Sequence, residues 1–275
     1  MLDSIELQDL QEKAKNIRKN IIEIVYNAAS GHPGGSLSIT DVLTTLYFKE
    51  LNVDINNPKD ENRDRFVLSK GHCAPALYAT LAEKGFIPKE DLKKVRKLDG
   101  YLQGHPDMKH TNGVDMSSGS LGQGLSVANG MALAAKLDNK DYRVYCVCGD
   151  GEIQEGQIWE AAMTSSHYKL DNICVIVDNN NLQIDGTVEN VMNPYPIDKK
   201  FESFGFNVLV INGHNFNEII DALEKAKQIK GKPTAIIAKT IKGKGVSFME
   251  NQIGWHGKAP NEEQYNIAIN ELGGK

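Results

Sequence analysis

"CVCGDGEIQEG", residues 146–156, decides how the chain is read. An apolar run stops at Gly149-Asp150-Gly151, and two carboxylates follow, Glu152 and Glu155. The run "RVYCVC" (143–148) is continuous rather than alternating, as a strand buried on both faces requires. A second such run, "NICVIVD" (172–178), ends in Asp178-Asn179-Asn180. The helical pattern at 153–168 between them makes the two strands parallel. Ligands of open parallel sheets bind beyond the carboxyl ends of the strands. If the two strands are neighbours, Asp150 and Asn180 face one crevice, and the chain past Asn180 can turn in a backbone carbonyl. A carboxylate, an amide oxygen and a carbonyl are hard donors suited to Mg²⁺ or Ca²⁺, with positions left for phosphate oxygens and a water. Gly149 and Gly151 let the backbone come close to a phosphate, and the next helix start adds positive potential. A Gly-Asp-Gly alone is an ordinary turn; its pairing with "DNNNLQIDG" (178–186) points to half of a metal–diphosphate clamp.

The same grammar extends outward. Leu7, Leu10, Ala14, Ile17, Ile21, Ile24 and Val25 recur at helical spacing, so residues 4–29 read as an amphipathic helix. Ser38 with Asp41 resembles a capping box opening a helix to about Leu51. "RFVLS" (65–69) reads as a strand, 72–84 as a helix stopped by Gly85, and Pro88 as the start of another helix. Residues 99–120 form a long glycine-rich polar passage, a length that inside a compact domain signals function. Helices at 121–137 and 215–230 and strands at 206–211 and 234–240 complete an alternation. The fold class is therefore α/β, three layers with helices on both faces of a mainly parallel sheet. Residues 1–275 read as one domain without repeats or linkers.

Composition narrows the class of function. With 275 residues and 40% hydrophobic content, the chain can bury a large core. A net charge of −5 and no basic face argue against nucleic acid or an anionic membrane as partner. The start "MLDSIELQDL" lacks the basic and apolar regions of a signal peptide, and no apolar run is long enough to span a bilayer. Cys73, Cys146, Cys148 and Cys174 lie in apolar surroundings without zinc spacing, so they read as buried thiols of a cytoplasmic protein.

Four histidines, His32, His72, His105 and His256, sit beside glycine or proline in loops rather than on apolar faces. Loops of an α/β sheet form its ligand end, and imidazole there can donate to oxyanions and shuttle protons. "SGSLGQGL" (118–125) is not a nucleotide fingerprint, because its glycines are spaced GxxGxG with no strand close before them. "IKGKGVS" (241–247) lacks P-loop spacing and reads as a flexible segment leading to His256, with Lys242 and Lys244 solvated.

Gly149-Asp150-Gly151 with Asn180 thirty residues after the aspartate resembles the motif of thiamine-diphosphate enzymes. "SGHPGGSLS" (30–38), "SKGHCAPALYA" (69–79), "GHPD" (104–107), "SGSLGQGLSVANGMA" (118–132) and "GWHG" (254–257) resemble, in order, the motifs of transketolases. The resemblance implies a thiamine-diphosphate-binding fold. It implies metal ligation by Asp150, Asn180 and the Leu182 carbonyl, and cofactor contacts from His72, Gly119, Leu121, Gly151, Asn180, Ile184 and His256. His32, His105 and His256 would contact the donor sugar and move protons. Glu155 would lie at a subunit interface, where sequence alone equally supports a solvated carboxylate at a helix start. His110, His167 and His214 match no motif, though His214 in "NGH" is placed near a substrate channel.

Transketolases are usually longer, so the chain resembles their N-terminal diphosphate-binding domain, one half of a split enzyme. A partner chain would supply the pyrimidine-binding and C-terminal domains in a heterotetramer acting on sugar phosphates. Alone, the chain is expected to bind thiamine diphosphate weakly and to turn over nothing. The alternatives are half of another thiamine-diphosphate enzyme (a 2-oxo-acid dehydrogenase α subunit or a deoxyxylulose-phosphate synthase), a split transketolase for an unusual sugar, or a non-catalytic binding protein on the same fold.

Overall fold

The computed structural model describes residues 2–274. Its strands are β1 (Arg65–Leu68), β2 (Val144–Gly149), β3 (Ile173–Asn179), β4 (Leu182–Gln183), β5 (Gly186–Thr187), β6 (Asn207–Asn212) and β7 (Thr234–Lys239). Five of them form an all-parallel sheet in the order β1-β2-β3-β7-β6, while β4 and β5 make a small antiparallel ladder. The register runs Val144↔Ile173 to Gly149↔Asp178, so the two diagnostic strand ends are adjacent and level.

The helices are α1 (Ser4–Ala28), α2 (Pro33–Ser38), α3 (Thr40–Thr45), α4 (Ala74–Lys84), α5 (Gly124–Leu137), α6 (Gly156–His167), α7 (Val188–Met192), α8 (Ile197–Ser203), α9 (Phe216–Gln228) and α10 (Glu262–Glu271). Alternation along the strands sorts the core into two layers. Tyr145, Val147, Cys174 and Ile176 pack with Ile21, Leu77 and Ile219 from α1, α4 and α9. Cys146, Cys148, Val175 and Val177 point the other way, against Leu125, Ile158 and Phe201 from α5, α6 and α8. Each fully buried aliphatic side chain contributes roughly 2 kcal/mol, so both faces of β2 and β3 are held. The three-layer reading is the observed one.

Crossover handedness explains the strand order. From β1 to β3 the chain steps one way across the sheet with α5 and α6 on one face; from β6 to β7 it steps back with α9 on the other. Reversing both step and face preserves the preferred hand. The order therefore turns between β3 and β7, and ligands of such sheets bind beyond the carboxyl ends of the strands near the turn.

Several local expectations hold. The amphipathic helix read at 4–29 is α1, and its start is capped by Asp3, which accepts from the Ile5 and Glu6 N–H groups while Glu6 reaches back to Asp3 N–H. Gly85 ends α4 at φ 100°. The four cysteines are buried and unpaired. Among the described residues no helix is long and apolar enough to cross a membrane.

Others are corrected. Ser38 and Asp41 form no capping box: the Ser38 hydroxyl binds Asp178, and the Asp41 carboxylate is drawn to Arg18 and His214. The expected helix to Leu51 is α2, α3 and a wide π-type turn, Leu46–Glu50. After Pro88 comes only a 3₁₀ segment, Lys89–Lys94. The ladder β4–β5 and helices α7, α8 and α10 lack a clear apolar period, and the sequence pattern does not announce them.

Candidate functional site

A cavity of about 360 Å³ opens at the carboxyl ends of β2 and β3. Its lining includes His32, His72, Gly119, Leu121, Asp150, Gly151, Glu155, Asn180, Leu182, Ile184 and His256, all singled out from sequence. His105 alone of that set does not line it; the exposed ring lies against Gly119, where an added Cβ would meet His105 Cγ at 3.1 Å. A larger hollow of about 510 Å³ lies by Arg65 at the amino end of β1 and includes none of these residues.

Asn180 is oriented by what stands behind it. Asp178, fully buried at the end of β3, accepts from Lys70 Nζ, the Ser38 and Thr240 hydroxyls and Asn180 Nδ2. With its amide nitrogen committed at 3.2 Å to Asp178, Asn180 keeps Oδ1 on the other side, where it accepts the Leu182 N–H at 3.2 Å. Burial works against both charges of the Lys70–Asp178 pair, yet their mutual attraction prevails. The Asp178 carboxyl is held below its usual range and the Lys70 ammonium above.

Asp150 is 2% exposed. Its carboxylate accepts from the Gly151 and Asn181 N–H groups and from Asn179 Nδ2. Burial, with Asp178 nearby, raises its pKa to about 6. A divalent cation would reverse that balance. Among the described residues no three His, Cys, Asp or Glu side chains cluster as metal ligands. The oxygens of Asp150, Asn180 and Leu182 include one charged donor, so they fit a hard cation that draws further negative charge from a bound diphosphate.

Two residues with no assigned role shape the crevice. Glu152, 3% exposed, accepts from the Gly122 N–H (3.0 Å), the Gly149 N–H (2.9 Å) and the Ser69 hydroxyl. It thereby ties the glycine loop 118–124 to the Gly-Asp-Gly turn and to the end of β1. Lys242 corrects the expectation of a solvated lysine: it is 2% exposed, and its Nζ meets the Leu182 carbonyl and His256 Nδ1, each at 3.0 Å. Burial lowers its pKa. An ammonium only donates, so His256 Nδ1 accepts and the neutral ring carries its proton on Nε2. A lysine next to glycine in a polar segment carries no sign of burial, because both partners come from other segments. Lys244 is half-buried and pairs with Glu250 at 3.2 Å.

Three of the histidines meet. Ring centroids are 5.1 Å apart for His32–His72, 5.4 Å for His32–His256 and 5.3 Å for His72–His256. Burial and nearby cationic groups push His32 and His72 down to about 4 and His256 to about 3. Burial, Arg96 and His72 also lower His105. These rings are neutral near pH 7, able to donate or accept. His32 Nδ1 and Gln183 Nε2, both of cavity-lining residues, are buried without a partner, as groups awaiting a polar ligand would be. Ile184 and Leu121 present exposed apolar surface at the same cavity. Glu155 is exposed at the N-cap of α6 and caps no N–H with its side chain. His110 and His167 lie on the surface, and His214 does not line the crevice.

A parallel α/β sheet with hard oxygens, neutral imidazoles and buried lysines lining the crevice at its strand ends is a fold suited to an anionic ligand there. Residues 10–275 match the family described as transketolase, thiamine diphosphate binding domain. The chain is 47% identical over 264 residues to the 6-deoxy-6-sulfo-D-fructose transketolase subunit SqwG of Clostridium sp. (strain MSTE9), covering 96% of each. It is 45% identical over 268 residues to one of the subunits of the apulose-4-phosphate transketolase of Phocaeicola vulgatus, covering 98% of this chain and 95% of the other. The crystal structure of a Campylobacter jejuni transketolase superimposes with a TM-score of 0.91 at 40% identity, over 98% of this chain and 43% of that one. The chain belongs to the transketolase family, as one of its N-terminal subunits, and is thereby a transferase of the thiamine-diphosphate class.

Proposed function

We propose that this chain works with a separate partner chain in reversible transfer of a two-carbon ketol unit from a ketose phosphate to an aldose phosphate. The partner contributes pyrimidine-binding and C-terminal domains, and two half-pairs form a heterotetramer in the cytoplasm, with residues 1–275 acting as one diphosphate-binding domain. The observation that carries this reading is the gathering of Asp150, Asn180 Oδ1, the Leu182 carbonyl and three histidines in one crevice. Asp150, Asn180 and Leu182 would hold Mg²⁺ or Ca²⁺ against the diphosphate, with His72, Gly151 and Lys242 beside it. Gly119, Leu121 and Ile184 would receive the rings. Thiamine diphosphate, when bound, supplies the electron sink for breaking and making the C–C bond. The neutral His32 and His256, with His105 at the rim, would donate to the donor sugar's hydroxyls and move its protons. Glu155 would face the partner chain.

A second reading, a split transketolase for an unusual sugar, is favoured by a specific observation. The relatives matched along 95–96% of their lengths carry the names of a sulfosugar and of apulose 4-phosphate. Both readings are tested by purifying the chain with the partner that accompanies it from its native source. Ketol transfer would then be assayed with fructose 6-phosphate, 6-deoxy-6-sulfofructose and apulose 4-phosphate as donors. Activity is expected only from the pair; turnover by this chain alone would refute the two-chain proposal, and the preferred donor decides between the readings.

A further inference from the structure

Behind the crevice lies a buried ionic cluster that the chemistry above does not use. Asp41, on α3 and 4% exposed, accepts from both terminal nitrogens of Arg18 on α1 (2.9 and 2.7 Å) and from His214 Nδ1 (2.7 Å). The opposite ring nitrogen, His214 Nε2, accepts the Ile241 backbone N–H at 2.8 Å. A backbone N–H can only donate, so Nε2 is unprotonated and the ring proton sits on Nδ1, facing Asp41. Arg18 Nε reaches further and donates to the Lys244 carbonyl at 3.1 Å. The Gly243 N–H donates to the Gly34 carbonyl at 2.9 Å. The backbone is therefore held at 241, 243 and 244, and the residue suspended among these points is Lys242.

We propose that His214, backed by Asp41 and Arg18, is a positioning residue for the cofactor crevice. It fixes the 241–244 backbone so that the buried Lys242 ammonium meets the Leu182 carbonyl and His256 Nδ1 together. A buried side chain with two polar partners at 3.0 Å tolerates little movement of its own Cα. Releasing Ile241 would therefore move charge at the diphosphate end of the site, although His214 touches neither cofactor nor substrate. This role rests on the reading of the crevice as a thiamine-diphosphate site.

Amide side chains separate the two ring contacts. In His214→Gln the amide reaches the position of Nε2 and can still accept from Ile241. In His214→Asn it reaches only that of Nδ1, keeping Asp41 and losing Ile241. The measurement is the thiamine diphosphate dissociation constant of the complex with its partner and Mg²⁺, by calorimetry, alongside its melting temperature. His214→Asn is expected to weaken binding by roughly fivefold, the size of one neutral hydrogen bond, with His214→Gln close to wild type. In a Lys242→Met background His214→Asn is expected to add nothing, because its effect passes through Lys242. Equal losses with and without Lys242, or equal losses for Asn and Gln tracking a lowered melting temperature, would overturn the proposal and leave a purely structural brace. Failure of the wild-type complex to bind thiamine diphosphate would instead refute the crevice reading.

Discussion

Asp178 shows how one side chain with no place in the proposed ligand set can govern the site. It neutralises the buried Lys70, anchors Ser38 and Thr240, and turns the Asn180 amide so that its oxygen faces away from the Asp178 carboxylate. Asp178→Asn would leave Lys70, itself 2% exposed, as an uncompensated buried charge. The expected cost is about 3–5 kcal/mol of stability, measured by denaturant unfolding. The same variant is expected to weaken Mg²⁺-dependent cofactor binding, since the Asn180 amide is free to flip. Unfolding within about 1 kcal/mol of wild type would mean that the pair does not hold the strand ends together as described.

At the scale of elements, the site is a set of loops held in contact by small residues and a few buried acids. Gly71 begins the turn after β1, and a Cβ there would meet Ser118 Oγ at 2.6 Å and the Gly119 N at 2.7 Å. Gly71→Ala must push the 118–124 loop away from the crevice. Thiamine diphosphate affinity of the assembled pair is expected to fall by at least about tenfold, while the melting temperature stays within a few degrees of wild type. Unchanged affinity would show that the loop does not contact the cofactor. The strands and their ends are legible in the sequence because a doubly buried parallel strand needs an unbroken apolar run, and Gly149-Asp150-Gly151 and Asp178-Asn179-Asn180 break those runs abruptly. Asp41 reads as part of a cap only while its partners are out of sight: Arg18 and His214 come from α1 and from the turn before α9, distances no local pattern encodes. The burial of Lys242 is hidden for the same reason. Glu152 stands in plain view beside Asp150, but its role depends on Ser69 and Gly122, brought to it only by the sheet.

For the whole molecule, the neutral histidines give folding a pH dependence with a definite sign. His72 is held near pKa 4 in the fold by burial and the neighbouring Lys70, against about 6.5 in the unfolded chain. Between those values the unfolded chain takes up the proton first, so stability is fully present above about pH 6.5 and is lost as the pH falls toward 4. From His72 alone the loss is on the order of 3 kcal/mol, and His32 and His256 act in the same direction. Asp150, raised to about 6, opposes this unless a cation is bound. The acid-side loss is therefore expected to be steeper with Mg²⁺ and thiamine diphosphate present than without, as read by urea midpoints across pH 4–7. A flat profile would contradict the buried neutral imidazoles. The most direct test of the crevice itself is a crystal of the chain with its partner, thiamine diphosphate and Mn²⁺, with the ion located by its anomalous signal. The ion is expected on the oxygens of Asp150, Asn180 and Leu182 with the diphosphate beside it; an ion elsewhere, or Asp150 and Asn180 turned away from it, would contradict the account.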